Sequence, residues 1–175
     1  MVEGFRYIQN NLLKSEKLIY AVRPHWVIFS WSTWLLIFSF YMLLFAPEVF
    51  NGMWVSDSLP LRTLLSILLF LLSGYSFIQA FIYYQCSEYG VTDKRVLIKI
   101  GWIRRRSLEI MLEKVEGVLV DQTILGRIFN YGRITIIGTG GTQDSFPYIP
   151  FPLEFRKQVQ QQIDNHERQF RVPTA

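Results

Sequence analysis

The sequence predicts an α+β membrane protein: an N-terminal two-helix transmembrane hairpin, then a small β-barrel or sandwich capped by a C-terminal helix. Three observations predict it. Two long runs hold no Asp, Glu, Lys or Arg: 26–47, WVIFSWSTWLLIFSFYMLLFAP, and 63–87, TLLSILLFLLSGYSFIQAFIYYQCS. After them, short apolar-alternating runs recur between turn residues, the period-two signature of half-buried strands. Finally, Phe155, Val159 and Ile163 recur every four residues, one apolar stripe on an amphipathic helix.

Composition agrees with this reading. Half of the 175 residues are hydrophobic and 18% are charged, against about 25% charged in a soluble domain. That balance excludes a disordered chain, a coiled coil and a collagen-like fibre. Cys86 is the one cysteine, so an intrachain disulfide framework and a multi-cysteine metal site are excluded. The net charge of +4 is mild, and its placement matters more than its size.

Segment 1–25 is charged and polar, and no small-residue cleavage site follows the first apolar run, so that run reads as a retained span. Crossing about 30 Å of hydrocarbon takes ~20 helical residues, which assigns spans to 26–46 and 63–86. Trp26, Tyr83 and Tyr84 stand at run ends, where aromatic rings favour the headgroup layer. Ser30, Thr33 and Ser39 can bond back to their own helix. Ser30 and Ser39 in the first span, with Ser73-Gly74 in the second, permit close helix packing. Neither span carries an acidic or basic residue, so no proton relay runs through the hairpin.

Positive charge orients the hairpin. Arg6, Lys14, Lys17 and Arg23 precede the first span. Between the spans Arg62 alone is basic, against Glu48 and Asp57. Lys94, Arg95, Lys99 and Arg104–Arg106 follow the second. The positive-inside rule then places both termini in the cytoplasm of a cell inner membrane and the loop 47–62 outside.

Residues 87–170 form the cytoplasmic domain, with 171–175 a short tail. Tyr83–Val91 reads as a first strand running directly off the second span, and Thr92-Asp93-Lys94 as a turn. Arg95–Trp102 follows with Val96, Ile98 and Ile100 on one face. Arg104–Leu112 places Leu108, Ile110 and Leu112 together. Val115–Gln122 repeats the pattern with Val118 and Val120. Segment 123–131 breaks it, as a helical turn or a loop anchored by Ile124, Ile128 and Phe129. Arg133–Thr139 is the next strand, Gly138, Gly140 and Gly141 mark a tight turn, and Ser145–Ile149 is the last strand. Pro150 and Pro152 introduce the final helix, which ends near Phe170.

The stretches YGVTDKRVLIKIGWIRRR, SLEIMLEKVEGVLVDQ, TILGRIFNYGRITIIGTGG and FPYIPFPLEFRKQV, led by EKLIYAVRPHW before the first span, carry a resemblance. In order and spacing, over roughly 12–165, the chain resembles the bacterial pleckstrin-homology-like (type 2) family of small membrane proteins with two transmembrane helices. The resemblance implies a pleckstrin-homology-like domain tethered by the hairpin. It implies no activity, since fold alone does not give function, and no phosphoinositide-binding residue carries over.

The residues give a thin catalytic inventory. No HExxH, GxSxG or paired-carboxylate pattern occurs, and GTGG at 138–141 lacks the lysine and Ser/Thr of a phosphate loop. His25 reads as a headgroup-level anchor, His166 as solvated, Cys86 as packing. The expectation is a non-enzyme with no cofactor and no metal. Nucleic acid is excluded by the near balance of charge after residue 87, 13 basic against 10 acidic residues. The site expected is a lipid contact. A strand leaving the span and a second returning would bring Trp102, Ile103, Arg104, Arg105 and Arg106 back to the headgroups, where each basic residue contributes ~1 kcal/mol on an anionic leaflet. The function expected is an interaction module that scaffolds or assembles a membrane complex, through another membrane protein or self-association. Lipid-headgroup recognition and an envelope-stress or export accessory role are the alternatives.

Overall fold

The computed structural model describes residues 5–45, 54–56, 59–101 and 105–171. In chain order the elements are α1 (Arg6–Asn11), β1 (Leu18–Val22), a 3-10 turn (Trp26–Phe29), α2 (Ser30–Phe45), the short pair β2 (Trp54–Ser56) and β3 (Leu59–Pro60), and α3 (Leu61–Cys86). There follow β4 (Glu88–Thr92), β5 (Arg95–Ile100), β6 (Arg106–Met111), a 3-10 turn (Leu112–Lys114), β7 (Val115–Asp121), α4 (Ile124–Ile128), β8 (Tyr131–Gly138), β9 (Gln143–Pro150) and α5 (Pro152–Arg171). The chain divides into two compact units. One is Trp26–Ile82, and the other combines the chain up to His25 with the chain from Tyr83 onward.

The helical unit holds two helices long and apolar enough to cross a membrane, Trp26–Leu44 and Thr63–Cys86. They are joined through serines seven residues apart on each helix. Ser39 Oγ donates to Ser66 O at 2.8 Å, and Ser73 Oγ donates to Ser32 O at 2.8 Å. A spacing of seven is two helical turns, so each pair lies on one face, and small side chains let the backbones approach. Ser39 and Ser73 meet the packing expectation. Gly74 does not: a Cβ on it would meet nothing within 4 Å, and the contact is held with the buried Ser32 and Ser66. Outward-facing side chains are large and apolar, with Trp31 69%, Trp34 67%, Leu68 62% and Leu71 64% exposed.

The second unit is two antiparallel sheets and a helix. The four-stranded sheet has the order β1-β4-β5-β6 and the three-stranded sheet β7-β8-β9. Tyr89, Val91, Val96, Ile98, Ile134, Ile136 and Phe146 face each other between them. The stripe of α5 closes this core: Phe155 and Val159 are fully buried, Ile163 packs beside them, and α5 touches β1, β4, β7 and β8. The cap expected for the C-terminal helix is present, but the barrel is not. The sheets remain separate ladders, and at β6 and β9 a side-chain ion pair, Arg106 with Asp144, takes the place of a backbone ladder.

The expected first strand at Tyr83 is also corrected. The helix runs on to Cys86, with Ser87 N–H closing onto Tyr83 O at 3.1 Å, and β4 starts at Glu88. Tyr83, Tyr84 and Gln85 keep an unbroken helical hydrogen-bond ladder available, which an isolated strand edge would forgo. The remaining strands overlap the alternating runs, with β8 and β9 starting two residues earlier than expected, at Tyr131 and Gln143, and the expected strand ends at Trp102 and Arg104 lying outside the described residues; 138–142 is a hairpin turn with Gly140 and Gly141 at positive φ.

The segment before the first apolar helix belongs to this unit. β1 pairs with β4, Leu18 opposite Thr92 and Val22 opposite Tyr89. Tyr20 meets Phe155 edge to face at 6.1 Å. α1 lies on the outer face of the sheet, where Ile8 is fully buried over Gly90 and Leu97 is also fully buried. Glu88 anchors the start of α1, accepting from Tyr7 N–H at 3.1 Å and Ile8 N–H at 3.0 Å, so a side chain from the sheet satisfies the helix's orphan donors. Arg95 ties the segment further, donating to Glu16 at 2.9 Å, to Asn11 O at 2.7 Å and to Glu109 at 2.7 Å.

Candidate functional site

The expected lipid contact begins where β5 ends. Trp102, Ile103 and Arg104 lie outside the described residues. The residues flanking them are placed: Gly101, at φ 80°, donates its N–H to Ser87 Oγ at 3.3 Å. Ser87 is the first residue beyond α3. β4 therefore leaves the helix end, turns at Asp93-Lys94 and returns as β5, with Glu88 opposite Lys99 in register. The two strands pair antiparallel as expected, with the first starting at Glu88 and not at Tyr83.

The arginines of the turn are not equivalent. Arg105 is exposed. Arg106 is exposed but paired with Asp144, which reduces the charge it offers to an anionic surface. Sequence spacing could not show this, because Asp144 lies 38 residues away.

His25, expected to be a headgroup-level anchor, is built into the sheet unit. Its N–H donates to Tyr148 O at 2.7 Å and its ring stacks on Tyr131 at 5.4 Å. Burial lowers its pKa, partly offset by a hydrogen bond to the Phe129 backbone. Tyr148 also meets the Tyr83 ring edge to face at 6.5 Å. His166, expected to be solvated, is largely covered and lies 3.5 Å from Glu113. It borders a cleft of about 660 Å³ lined also by Asp93, Lys94, Met111, Gln162 and Arg168. Charges of both signs line this cleft, Asp93 and Glu113 against Lys94, Arg95 and Arg168. Among the described residues no group of three or more His, Cys, Asp or Glu could hold a metal ion.

The segment after β7 also differs from the sequence reading. Within 123–131, α4 (Ile124–Ile128) is a short helix that presents its apolar side chains outward. Ile124 and Ile128, read as anchors, are 80% and 65% exposed. The helix is held by its backbone instead. Thr123 Oγ1 caps it, accepting from Gly126 N–H at 3.0 Å, and Gln122 Nε2 donates to Tyr131 O at 3.2 Å. A Cβ on Gly126 would lie 2.6 Å from Tyr131 O, so only glycine allows this approach.

Two antiparallel sheets closed by a C-terminal helix make up a pleckstrin-homology-like domain. The bacterial PH domain family model matches residues 25–165. The chain belongs to that family, whose domains serve in protein interaction or lipid binding and are generally non-catalytic. No curated protein matches the chain.

Proposed function

We propose that this is a non-enzymatic interaction module anchored in the inner membrane by 26–46 and 63–86. In this reading 1–25 and 87–170 are cytoplasmic, and 47–62 faces outward. The module assembles a membrane complex, with another membrane protein or a second copy, and touches anionic lipid through Trp102–Arg106. The observation that carries the reading is the outward face of α2 and α3. Each apolar window is only 11% buried, and a soluble protein does not leave rows of Trp, Leu and Phe in water. A bilayer solvates them. The serine contacts fit this, since small polar residues join helices in lipid, where apolar surface gives no driving force between helices.

Lipid contact at the β5–β6 turn is supported by the Gly101–Ser87 hydrogen bond, which holds the turn's start beside the first residue after α3. Partner binding has candidate sites at the sheet edges, β1 and β6 in one sheet and β7 and β9 in the other.

The test is purification of the full chain in a gentle detergent, with mass spectrometry and native sizing. A truncated tail from residue 87 would lose β1 and α1 and is not a fair probe. The expected result is a reproducible complex carrying phosphatidylglycerol, with bound phosphatidylglycerol reduced in an Arg104→Ser/Arg105→Ser/Arg106→Ser variant. A lipid-free monomer would overturn the proposal, and unchanged lipid in the variant would remove the turn from it.

A further inference from the structure

α4 and its neighbours form one corner of the sheet unit with two unusual properties. The first is strain. Asn130, Tyr148 and Phe151 are the three non-glycine residues with left-handed backbone among those described, at φ 55°, 60° and 47°. They belong together: Phe151 N–H donates to Asn130 O at 2.8 Å, and β9 pairs with β8 through Tyr131 and Pro150. Such conformations are retained only where surrounding structure enforces them, and they gather at functional places. The second is exposed apolar surface. Ile124, Leu125, Ile128, Phe129, Phe151 and Leu153 are all between 44% and 80% exposed. Ile124, Leu125 and Ile128 on α4 and Phe129 at its C-cap follow i, i+1, i+4, i+5 spacing, so they share one side of the helix.

We propose that this corner inserts into the bilayer surface as a wedge, with Arg127 and Arg156 receiving the phosphates of anionic headgroups. The occupant is the membrane and not another protein, for two reasons. Both points at which the chain passes into the apolar helices lie against this corner. His25, one residue before Trp26, bonds and stacks on Tyr148 and Tyr131, and Tyr83, in the last turn of α3, packs on Tyr148. Charge agrees with an anionic surface. Beside the apolar face a cleft of about 430 Å³ is lined by Val120, Gln122, Arg127, Asn130, Leu153 and Arg156, with two cations and no acid. Glu154, the acid nearest on α5, accepts a hydrogen bond from Gln158 at 2.7 Å. An apolar tip flanked by arginines is the composition of an interfacial anchor.

The inference rests on α2 and α3 being membrane spans, and the experiment separates the two. The full chain, with Cys86→Ser, is labelled with an environment-sensitive fluorophore at one new cysteine and placed in nanodiscs of phosphatidylglycerol and phosphatidylethanolamine. The labelled variants are Ile128→Cys, Ile37→Cys in α2, and Glu113→Cys in the 3-10 turn after β6. Quenching is read with spin-labelled lipid and with aqueous iodide. The label at 128 is expected to be quenched by lipid and to show a roughly tenfold lower iodide quenching constant than the label at 113, as burial at the acyl boundary requires.

Lipid quenching at 37 with iodide-accessible label at 128 overturns the wedge and leaves the spans intact. No lipid quenching at 37 overturns the spans and the wedge together. A label at 128 protected from both quenchers means that protein covers the corner, which also overturns the proposal. For the headgroup assignment, Arg127→Ser/Arg156→Ser is expected to lower co-purified phosphatidylglycerol roughly fivefold per arginine removed while lipid quenching at 128 persists. Unchanged phosphatidylglycerol would remove the arginines from the site.

Discussion

Ile8 and Gly90 should behave as one energetic unit. Ile8 is fully buried on the outer face of the four-stranded sheet, and a Cβ built on Gly90 would come 2.7 Å from Ile8 Cδ1. Ile8→Ala removes three buried carbons from a site that cannot collapse without moving α1, a loss of ~2–4 kcal/mol in α1 docking. Gly90→Ala forces the Ile8 side chain aside and should cost ~1 kcal/mol, in the lower part of the overpacking range. In the Ile8→Ala background the clash disappears. The next atom a Cβ would meet beyond Ile8 is Leu18 Cδ1 at 3.5 Å, an ordinary contact. There Gly90→Ala becomes neutral for α1 opening, because β4 keeps its fold in both states. The coupling is therefore ~1 kcal/mol, about a fivefold difference in opening. Hydrogen exchange of the 5–12 peptide in the detergent-solubilised full chain reads it directly, because opening of α1 relieves the clash. Additive effects within ~0.5 kcal/mol would refute the reasoning, and would mean that Ile8 does not sit over Gly90.

Four further outcomes can be measured. Burial raises the Glu16 carboxyl, but the Arg95 guanidinium, the Leu13 N–H and the Thr92 hydroxyl outweigh it, so its pKa is below the ordinary glutamate value. Its contribution is then complete above the unfolded pKa and is lost as pH falls through the lower folded one, and exchange in the 5–22 segment should accelerate over that acidic window. Arg95→Met leaves the carboxylate buried without its cation, a cost of ~3 kcal/mol, and should move the same transition to higher pH. Tyr89→Phe removes hydrogen bonds to Pro147 O at 3.2 Å and to the Tyr83 hydroxyl at 3.3 Å, and should cost ~1 kcal/mol in chemical unfolding. Gly126→Ala puts a methyl against the Tyr131 carbonyl, a backbone atom that cannot swing away. Proteolysis at Arg127 should speed up in this variant, while Thr123→Ala, which loses only the cap, should cost ~1 kcal/mol and cleave more slowly than it.

The strands, the turn at 138–142 and the stripe on α5 were legible because each is written in local periodicity. Val96 and Ile98, or Phe155 and Val159, need no distant partner to reveal which face is buried. The same is true of the two apolar runs. The return of β5 to the start of β4 was legible in outline, since a strand out and a strand back must return, but Arg106 is paired with Asp144, which the local sequence does not reveal. The α4 corner was misread because apolar residues usually face inward. Ile124 and Ile128 face outward here, and the anchors are a threonine cap, a glutamine side chain and a glycine.

By itself, then, the sequence determined the two apolar helices, the alternating strands and the amphipathic closing helix, all set by contacts within a few residues. The tertiary structure alone decided that the N-terminal segment completes the sheet unit. Tyr7 reaches Glu88 across 81 residues and Glu16 reaches Thr92 across 76. Pairing at that separation leaves no periodic trace in either segment, because the partner surface exists only once β4 and β5 have come together.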